Sequence, residues 1–340
     1  MSSANQSKPS QTLTDTLLGA RGAHALHAAT KFGFADLLAS EPKTSDELAR
    51  LTNTHAPSVL RLLRALASLG IFAEQDDGRF ANTASSELLR TDNPNSMRDS
   101  VLFLHHDIMA QAWTKLPAAI ETGKPAFDLH YGENLWQYTS KHPEAASVFN
   151  AGMTSFSTLS AAAVANAYDF SDIGTLCDLG GGRGILLATI LAKHPHLKGI
   201  LFDQPHVITS AGKGHDRWDA IKDRCQAVGG NFFESVPAAD AYVMKSVIHD
   251  WTDEESVRIF QTVQRATKPG QKLLLVEAII QPGNGPDIGK IVDLGMMIMT
   301  GNGRERTEKE YAKILDAGGF DLVRLVPTTS YSYVIESRRR

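Results

Sequence analysis

The spacing of hydrophobic residues changes near residue 170 of this 340-residue chain. Before that point apolar residues recur at helical spacing, as from Val59 to Leu69, where leucine, alanine and arginine dominate. After it, short runs rich in β-forming residues alternate with helical stretches. This alternation predicts a doubly wound α/β sheet with helices on both faces, preceded by a mostly helical region.

Six runs after residue 170 are predicted strands. The first four are separated by helical segments, which include Ile185–Lys193, Val207–Ala211 and Asp253–Thr267. Only a few residues join the last two runs, so these must pair antiparallel as a C-terminal hairpin at the sheet edge. The predicted strands are Thr175–Leu179, Gly199–Asp203, Ala241–Ile248, Lys272–Ile280, Asp321–Pro327 and Ser330–Glu336.

The first hundred residues carry a helix-turn-helix and wing pattern. A capped helix at Ser45–Leu51 is followed by a longer helix at Ser58–Leu69, which Gly70 ends. Two short strands then flank the turn Asp76–Gly78. The longer helix has few basic residues, so we expect a domain for packing or dimerisation and not one that reads DNA.

Composition narrows the functional classes. The net charge of −4 and the isoelectric point of about 6.3 predict no general attraction to nucleic acid or to an anionic membrane. Two cysteines, Cys177 and Cys225, are too few for a disulfide framework or a cysteine metal site. The polar start and the lack of an eighteen-residue apolar stretch predict a cytoplasmic protein.

A glycine turn follows the first strand of the predicted sheet. Asp178 precedes Gly180 by two residues, and the glycines follow a G-x-G-x-G spacing that differs from the dinucleotide fingerprint. An acid at that place would repel a pyrophosphate but suits a sulfonium or an ammonium. Asp203 ends the next strand, where an acid accepts ribose hydroxyls. The pair predicts S-adenosylmethionine, although a simple tight turn with Asp178 as a helix cap is the alternative.

The ends of two later strands carry further polar residues. His249 follows the strand that begins at Ala241, and the carboxyl ends of parallel strands bind ligands, so we expect His249 beside the glycine turn. Glu277 is an anion among aliphatic residues and needs a partner such as His249. Glu305 lies in a glycine-rich loop, where solvation alone could explain it. For His249 itself, a packed or capping histidine is the structural alternative.

In order along the chain, these motifs resemble those of the small-molecule O-methyltransferases. This family of class I S-adenosylmethionine-dependent enzymes includes the plant caffeic acid type, the vertebrate hydroxyindole type and bacterial natural-product enzymes. The resemblance covers nearly the whole chain, including the winged-helix region. The motifs that carry it are Asp178–Gly184, Phe202–Val207, Gly229–Phe233, Met244–Trp251, Arg304–Thr307 and Gly318–Phe320.

The resemblance implies a role for each matching residue. It makes His249 the general base, with Glu277 and Glu305 bracketing it. The family commonly has an acid where this chain has Asn231, so the adenine contact expected there lacks a charge. The implied cofactor-binding residues are Asp178, Gly180, Gly182, Asp203, Gly230, Asn231, Phe232, Lys245, Met153 and Ser157, and the implied substrate-binding residues are Phe149, Phe156, Asp250, Trp251, Met296 and Met299.

Composition, the pattern of elements and the resemblance together predict an organisation into four parts. These are a disordered start over residues 1–10, a winged-helix dimerisation domain over 11–100, a helical linker with pocket residues over 101–165, and a cofactor-binding catalytic domain over 166–340. We therefore expect a homodimer, joined through its N-terminal domain, that acts on a small aromatic substrate and uses S-adenosylmethionine.

The expected reaction is methylation of a phenolic or heteroaromatic hydroxyl, with neutral His249 removing the proton and no metal taking part. Activity should then fall below pH of about 6.5, where the base is protonated. Three alternatives stay open: an N-methyltransferase of planar heteroaromatics, a non-methylating hydroxylase or decarboxylase on the same fold, and a winged-helix binding module without activity.

Overall fold

The structure is a computed structural model that describes residues 9–209 and 216–340. The predicted disordered start falls mainly outside these residues, and the first helix begins at Pro9. The end of the predicted helix Val207–Ala211 also lies outside them, and the described helix there spans Pro205–Ile208. None of the described helices is long and apolar enough to cross a lipid bilayer.

The chain forms two compact units, which are described separately below. One consists of residues 1–110 and 142–156, and the other consists of residues 111–141 and 157–340. The boundaries predicted from the sequence divide the chain differently and stay a prediction.

The first unit contains the predicted helix-turn-helix and wing. Thr44 caps the first helix of the motif: its hydroxyl accepts the Glu47 N–H, and the Glu47 carboxylate accepts the Thr44 N–H. Leu48, Leu63 and Phe80 are fully buried and belong to one core that joins these helices to the wing. The elements are α1 (Pro9–Lys31), α2 (Phe34–Leu37), α3 (Ser45–Thr52), α4 (Ala56–Ser68), β1 (Phe72–Glu74), β2 (Phe80–Asn82), α5 (Ala84–Glu87) and α6 (Arg98–Leu104).

Five helices follow along the chain before the large sheet begins. The longest of them, Pro143–Ala167, belongs to the first unit up to Phe156 and to the second from Ser157 onward. The five are α7 (Asp107–Trp113), α8 (Leu116–Thr122), α9 (Ala126–Tyr131), α10 (Leu135–Lys141) and α11 (Pro143–Ala167).

A seven-stranded sheet forms the centre of the second unit and confirms the predicted α/β fold. Five strands run parallel, and the last two form the predicted antiparallel hairpin, whose final strand also pairs with the fifth parallel strand. The strands are β3 (Thr175–Leu179), β4 (Lys198–Asp203), β5 (Cys225–Gly229), β6 (Ala241–Lys245), β7 (Lys272–Ala278), β8 (Phe320–Pro327) and β9 (Ser332–Arg339), in the order β5-β4-β3-β6-β7-β9-β8.

Helices cover both faces of this sheet. Neighbouring strand residues such as Leu176 and Cys177 point to opposite faces and belong to two different buried clusters. Both faces are therefore apolar, which is why the central strands read as nearly continuous hydrophobic runs. The helices are α12 (Ile185–Lys193), α13 (Pro205–Ile208), α14 (Asp216–Asp219), α15 (Asp253–Ala266), α16 (Ile288–Met299) and α17 (Glu308–Ala317), with 3-10 turns at Lys222–Arg224 and Ile248–Asp250.

Two strand predictions need correction. Strand β5 has no counterpart among the predicted strands, because it lies at the sheet edge with most of its residues partly or fully exposed and carries no hydrophobic run. Strand β6 ends at Lys245, three residues before the predicted end at Ile248. Ser246 has a φ of 52°, a left-handed conformation that turns the chain out of the sheet.

Candidate active site

The glycine turn between β3 and α12 closes over the carboxylate that precedes it. Gly180, Gly182 and Gly184 have φ values of 73°, 57° and 82°, which only glycine adopts without strain. A Cβ atom placed on Gly181 would lie 2.7 Å from the carboxyl group of Asp178. The backbone of the turn therefore lies directly against this acid.

Asp178 is a buried acid without a complete set of partners. Its side chain is 1% exposed, and its Oδ2 atom has no hydrogen-bond partner. Burial raises the pKa of Asp178 to about 7; nearby Asp203 adds to the rise, and Lys245 opposes it. A buried carboxylate of this kind is ready to accept a cation.

The free energy of unfolding should depend on the ionisation of Asp178. Because the folded-state pKa of Asp178 is raised from 3.8 to about 7, the unfolded chain loses this proton at lower pH, so the fold loses stability as the pH rises from about 4 to 7 and the full loss is present above pH 7. We expect Asp178→Asn to raise the free energy of unfolding at pH 8 by up to about 4 kcal/mol. The gain should vanish near pH 4, and thermal melts at both pH values measure it. An equal gain at both pH values would contradict this explanation.

The second predicted cofactor acid, Asp203, is tied to the same turn. Its Oδ2 atom accepts the N–H of Gly182 at 2.8 Å, and its Oδ1 atom accepts the N–H of Gln204 at 2.7 Å. Strands β3 and β4 are parallel neighbours, so Asp178 and Asp203 lie at the same edge of the sheet. The arrangement places two acids on one glycine turn, as the sequence predicted.

The segment after β5 adds an aromatic group at this edge. A Cβ atom on Gly230 would lie 2.5 Å from the Phe202 ring, so only glycine fits there, and one on Gly180 would lie 3.8 Å from the Phe232 ring. Asn231 is engaged in its own turn: its Nδ2 donates to Glu234 at 3.0 Å and its Oδ1 accepts the Phe233 N–H at 3.0 Å.

Trp251, predicted to bind substrate, packs against these aromatic residues. Its ring lies edge-on to Phe233 at 4.9 Å and to Phe232 at 6.0 Å between ring centroids. The indole is therefore next to residues predicted to hold the adenine, and its role toward the acceptor stays a prediction.

His249 lies on the 3-10 turn after β6 and meets both predicted glutamates. Its Nδ1 atom is 2.8 Å from Glu305 Oε1 and 3.6 Å from Glu277 Oε2. On its other side, Nε2 is 3.8 Å from Asp250 Oδ1, and the Asp250 side chain is 41% exposed. Since an ionised carboxylate only accepts, we assign the Nδ1 hydrogen to the bond with Glu305, which leaves the Nε2 lone pair free in the neutral ring.

Glu277 and Glu305 make different contacts with the His249 turn. Glu277 Oε1 accepts the backbone N–H groups of Val247 at 3.0 Å and Ile248 at 2.8 Å, so Glu277 holds the turn that carries the histidine. Glu305 holds the imidazole ring itself. Both carboxyl groups are nearly fully buried, at 1% and 2% exposure, and each has one oxygen without a partner.

The charges of this cluster shift its proton affinities. Burial lowers the pKa of His249, but the Glu277 carboxylate and the hydrogen bond to Glu305 outweigh it and raise the pKa to about 9. Burial raises the pKa of Glu277. We therefore expect kcat/KM, which reports the pKa of the free enzyme, to begin to fall at a pH higher than the 6.5 predicted from the sequence.

The titration of His249 in the ligand-free protein gives a direct check. We expect its ring protons to titrate with a midpoint near pH 9, measured by NMR. In Glu305→Gln the midpoint should fall, because the neutral amide no longer stabilises the imidazolium. A His249 midpoint that does not move in Glu305→Gln would contradict the assigned pairing.

Lys245 lies between the two parts of the site. Burial lowers the pKa of its ammonium, while Glu277 and Asp178 both act to raise it. The lysine is thus electrostatically coupled to the acid beneath the glycine turn and to the acid that holds the His249 turn. Its Nζ atom is 3.5 Å from Ser246 Oγ.

The remaining predicted residues fall in different parts of the chain. A Cβ atom on Gly303 would lie 2.9 Å from Met296 Cε and 2.8 Å from the His249 carbonyl oxygen, so Met296 lies near the histidine. Met299 ends the same helix, α16, and is partly buried. The residues on α11 are Phe149, Met153 and Phe156 in the first unit and Ser157 in the second, and their roles stay predictions.

Arg306 was not among the residues predicted for this site. Its guanidinium is fully buried beside the His249 turn. The only signal was its place in the motif Arg304–Thr307, in which Glu305 alone was assigned a role.

A metal ion is the other chemistry that this cluster could suggest. Among the described residues, His249, Glu277 and Glu305 bring possible ligand atoms within 4.8 Å of one another. Two of these side chains are already joined through Nδ1 and Oε1, which is the arrangement of an oriented base. The expectation that no metal takes part stays a prediction.

Comparison with known proteins places this arrangement in a family. The O-methyltransferase domain matches residues 113–321, and the O-methyltransferase dimerisation domain matches residues 14–92. The fold and site define a class I S-adenosylmethionine-dependent methyltransferase. The chain belongs to the O-methyltransferase family, and it is an S-adenosylmethionine-dependent O-methyltransferase.

Individual relatives support the same placement. The chain is 40% identical over 330 residues, 97% of its length and 96% of the relative's, to the phenazine O-methyltransferase PhzM of Lysobacter antibioticus. It is 33% identical to the 8-amino-8-demethylriboflavin N,N-dimethyltransferase of Streptomyces davaonensis, over 93% of this chain and 91% of that one. The solved structure of CalO1, a methyltransferase in calicheamicin biosynthesis in its SAH-bound form, matches with a TM-score of 0.90 and 32% identity, over 98% and 100% of the two chains.

The residues present fit this cofactor. The unpartnered carboxyl oxygen of Asp178 suits a cationic amino-acid tail, and Asp203 at the next strand end suits a ribose. The glycine turn, which lies against Asp178, leaves no side chain in the way.

Proposed function

We propose that this enzyme methylates a hydroxyl group of a small aromatic metabolite, phenolic or heteroaromatic, with His249 as the general base. The observation that carries the proposal is the 2.8 Å contact between His249 Nδ1 and Glu305 Oε1, which leaves Nε2 free to take a proton. The phenazine named for the relative PhzM is a flat heteroaromatic compound, which supports the acceptor class.

The chemistry requires a base because phenols have a pKa of about 10, and only about a thousandth of a phenol is ionised at pH 7. In the proposed reaction His249 Nε2 accepts the hydroxyl proton as the acceptor oxygen forms its bond to carbon. Glu305 accepts the Nδ1–H, fixes the tautomer and stabilises the imidazolium that results. Glu277 keeps the turn in place through two backbone N–H groups. When bound, S-adenosylmethionine would supply the methyl group from its sulfonium, whose sulfur would keep the electrons of the broken sulfur–methyl bond and leave as the neutral thioether of S-adenosylhomocysteine.

The raised pKa of His249 has a consequence for this role. With a pKa of about 9, His249 is mainly protonated at neutral pH in the free protein. Only the molecules in which the imidazole is neutral can accept the hydroxyl proton, and their share grows as the pH rises toward 9. A bound sulfonium adds a positive charge to the site and would lower the pKa of the imidazole.

We further propose that the enzyme is a cytoplasmic homodimer. The match to the family's dimerisation domain over residues 14–92 supports a homodimer. Cys177 and Cys225 are both free thiols, which fits the reducing cytoplasm proposed for this enzyme.

The test is a screen of acceptors with isotopically labelled S-adenosylmethionine, read by mass spectrometry. Acceptors are offered in matched pairs that differ only in a hydroxyl or an amino group on the same flat aromatic ring. Mass gain confined to the hydroxyl members supports the proposal. Mass gain confined to the amino members favours an N-methyltransferase, an activity named for one relative.

A third outcome separates the non-methylating alternatives. Tight binding of the cofactor, measured by calorimetry, without labelled product from any pair would favour a hydroxylase or decarboxylase on the same fold. Binding of duplex DNA that weakens with added salt would instead favour the winged-helix binding module.

A further inference from the structure

Arg306 is a fully buried cation in the second unit, at 0% exposure. Burying a guanidinium is costly unless its N–H groups find partners. Each of its three nitrogens has one: Nη1 donates to the Ile248 carbonyl at 3.0 Å, Nη2 donates to the Trp251 carbonyl at 2.7 Å, and Nε donates to Asp253 Oδ1 at 2.9 Å.

The two carbonyl groups lie on either side of His249. The 3-10 turn that carries the histidine spans Ile248–Asp250, and Trp251 follows it directly. The planar guanidinium of Arg306 therefore binds both ends of the turn that carries His249. A guanidinium can do this because its donors form a rigid fork, whereas a lysine ammonium is a single point of attachment.

The two residues before Arg306 also contact the turn that carries His249, Arg304 through its backbone and Glu305 through its side chain. The Arg304 N–H donates to the His249 carbonyl at 2.8 Å, and Glu305 holds the imidazole Nδ1 at 2.8 Å. The Arg306 carbonyl accepts the Ile280 N–H at 3.0 Å, just beyond strand β7, which carries Glu277. Three consecutive residues thus join the turn, the ring and the strand end.

We propose that Arg306 is a positioning residue for methyl transfer: its guanidinium fixes the His249 turn so that the imidazole keeps its contact with Glu305. The proposal rests on the proposed function of His249 as base. Arg306 donates to the backbone carbonyl groups of Ile248 and Trp251, so it acts on His249 through the backbone of the turn. A loosened turn should harm the chemical step more than cofactor binding.

Arg304 supplies a matched control. Its Nη2 atom donates to both oxygens of the same Asp253, at 3.1 and 3.0 Å, and its Nη1 donates to Glu310. Its side chain is 42% exposed, and its contact with the turn comes from its backbone N–H, which a side-chain substitution leaves in place. Arg304→Lys therefore disturbs the same acid without removing a side-chain contact to the turn.

The experiment compares Arg306→Lys with Arg304→Lys in the full chain. Each variant is measured for kcat and KM, for affinity toward S-adenosylhomocysteine by calorimetry, and for the NMR titration of His249. We expect Arg306→Lys to lower kcat by about 10–100-fold. Its affinity for S-adenosylhomocysteine should stay within about twofold of that of the unaltered enzyme. The His249 midpoint should move from about 9 toward the ordinary 6.5, because the contact with Glu305 is weakened. In Arg304→Lys, kcat and the His249 midpoint should both stay near the values of the unaltered enzyme.

Two results would overturn the proposal. One is a folded Arg306→Lys protein with the kcat and His249 midpoint of Arg304→Lys. The other is a loss of kcat with an unmoved midpoint, which a merely structural role would give.

Should Arg306→Lys fail to fold, Arg306→Gln decides the question, because its shorter amide can donate to at most one of the two carbonyl groups that the guanidinium binds. A lowered His249 midpoint supports the proposal, and an unchanged midpoint overturns it. The titration also keeps this proposal apart from the proposed function, because a fully active His249→Ala would refute the base without affecting the midpoint measured in Arg306→Lys.

Discussion

His249→Ala is expected to lower kcat by about 10²–10⁴-fold, the usual contribution of a positioned general base. The affinity for S-adenosylhomocysteine should change little, because the acids at the glycine turn are separate from the histidine. Single-turnover rates with a phenolic acceptor, together with calorimetric titration of the cofactor product, measure the two effects. A loss of kcat without a loss of binding is the signature of a residue that acts in the chemical step.

The acidity of the acceptor makes this test sharper. A phenol that is already ionised at the assay pH needs no base, so the loss in His249→Ala should shrink as the pKa of the acceptor falls. His55→Ala, a change at a histidine of the helix-turn-helix region, is the control and should keep full activity. An equal loss of kcat with acceptors of all acidities would show that the His249 side chain contributes packing and does not act as a base. Full activity of His249→Ala would refute any role of His249 in the reaction.

Asp203→Ala is expected to weaken binding of S-adenosylhomocysteine by at least about 100-fold, because two hydrogen bonds to a charged group are lost and each contributes about 1.5–3 kcal/mol. The carboxylate is expected to accept both ribose hydroxyls. It also accepts the Gly182 N–H at 2.8 Å, so the substitution loosens the glycine turn as well. Calorimetric titration gives the affinity.

A ligand lacking one ribose hydroxyl separates these two effects. The unaltered enzyme should bind the 2′-deoxy form of S-adenosylhomocysteine more weakly than the full compound. In Asp203→Ala the two ligands should bind alike, because the acceptor of the hydroxyl is gone. Asp223→Ala, at an exposed acid ahead of β5, should keep the discrimination. If Asp203→Ala also keeps it, the ribose assignment is wrong.

Much of the fold could be predicted from local patterns. The buried strands β3, β4, β6 and β7 read as apolar runs because helices cover both faces of the sheet. Strand β5 escaped prediction because an exposed edge strand needs no such run. The end of β6 could not be placed because a serine with positive φ leaves no mark in the hydrophobic pattern.

The candidate site was predictable in its members but not in their arrangement. Glu277 and Glu305 were both expected near His249, and both are. Only the structure shows that Glu277 binds backbone N–H groups while Glu305 binds the ring, since the three residues are far apart in sequence. The packing of Trp251 on Phe232 and Phe233 could not be read from the sequence either, and its contact with the acceptor stays a prediction.

The sequence by itself determined the glycine turn, its two acids and the order of the polar strand ends, because each depends on residues that are neighbours in the chain. These features predicted the cofactor, and the order of the motifs along the chain carried the resemblance to the family that the comparisons confirm. The tertiary structure alone decided the raised pKa of His249, the separate tasks of the two glutamates and the burial of Arg306. These depend on burial and on distances between charges that only folding brings together, and such effects cannot be read from local spacing.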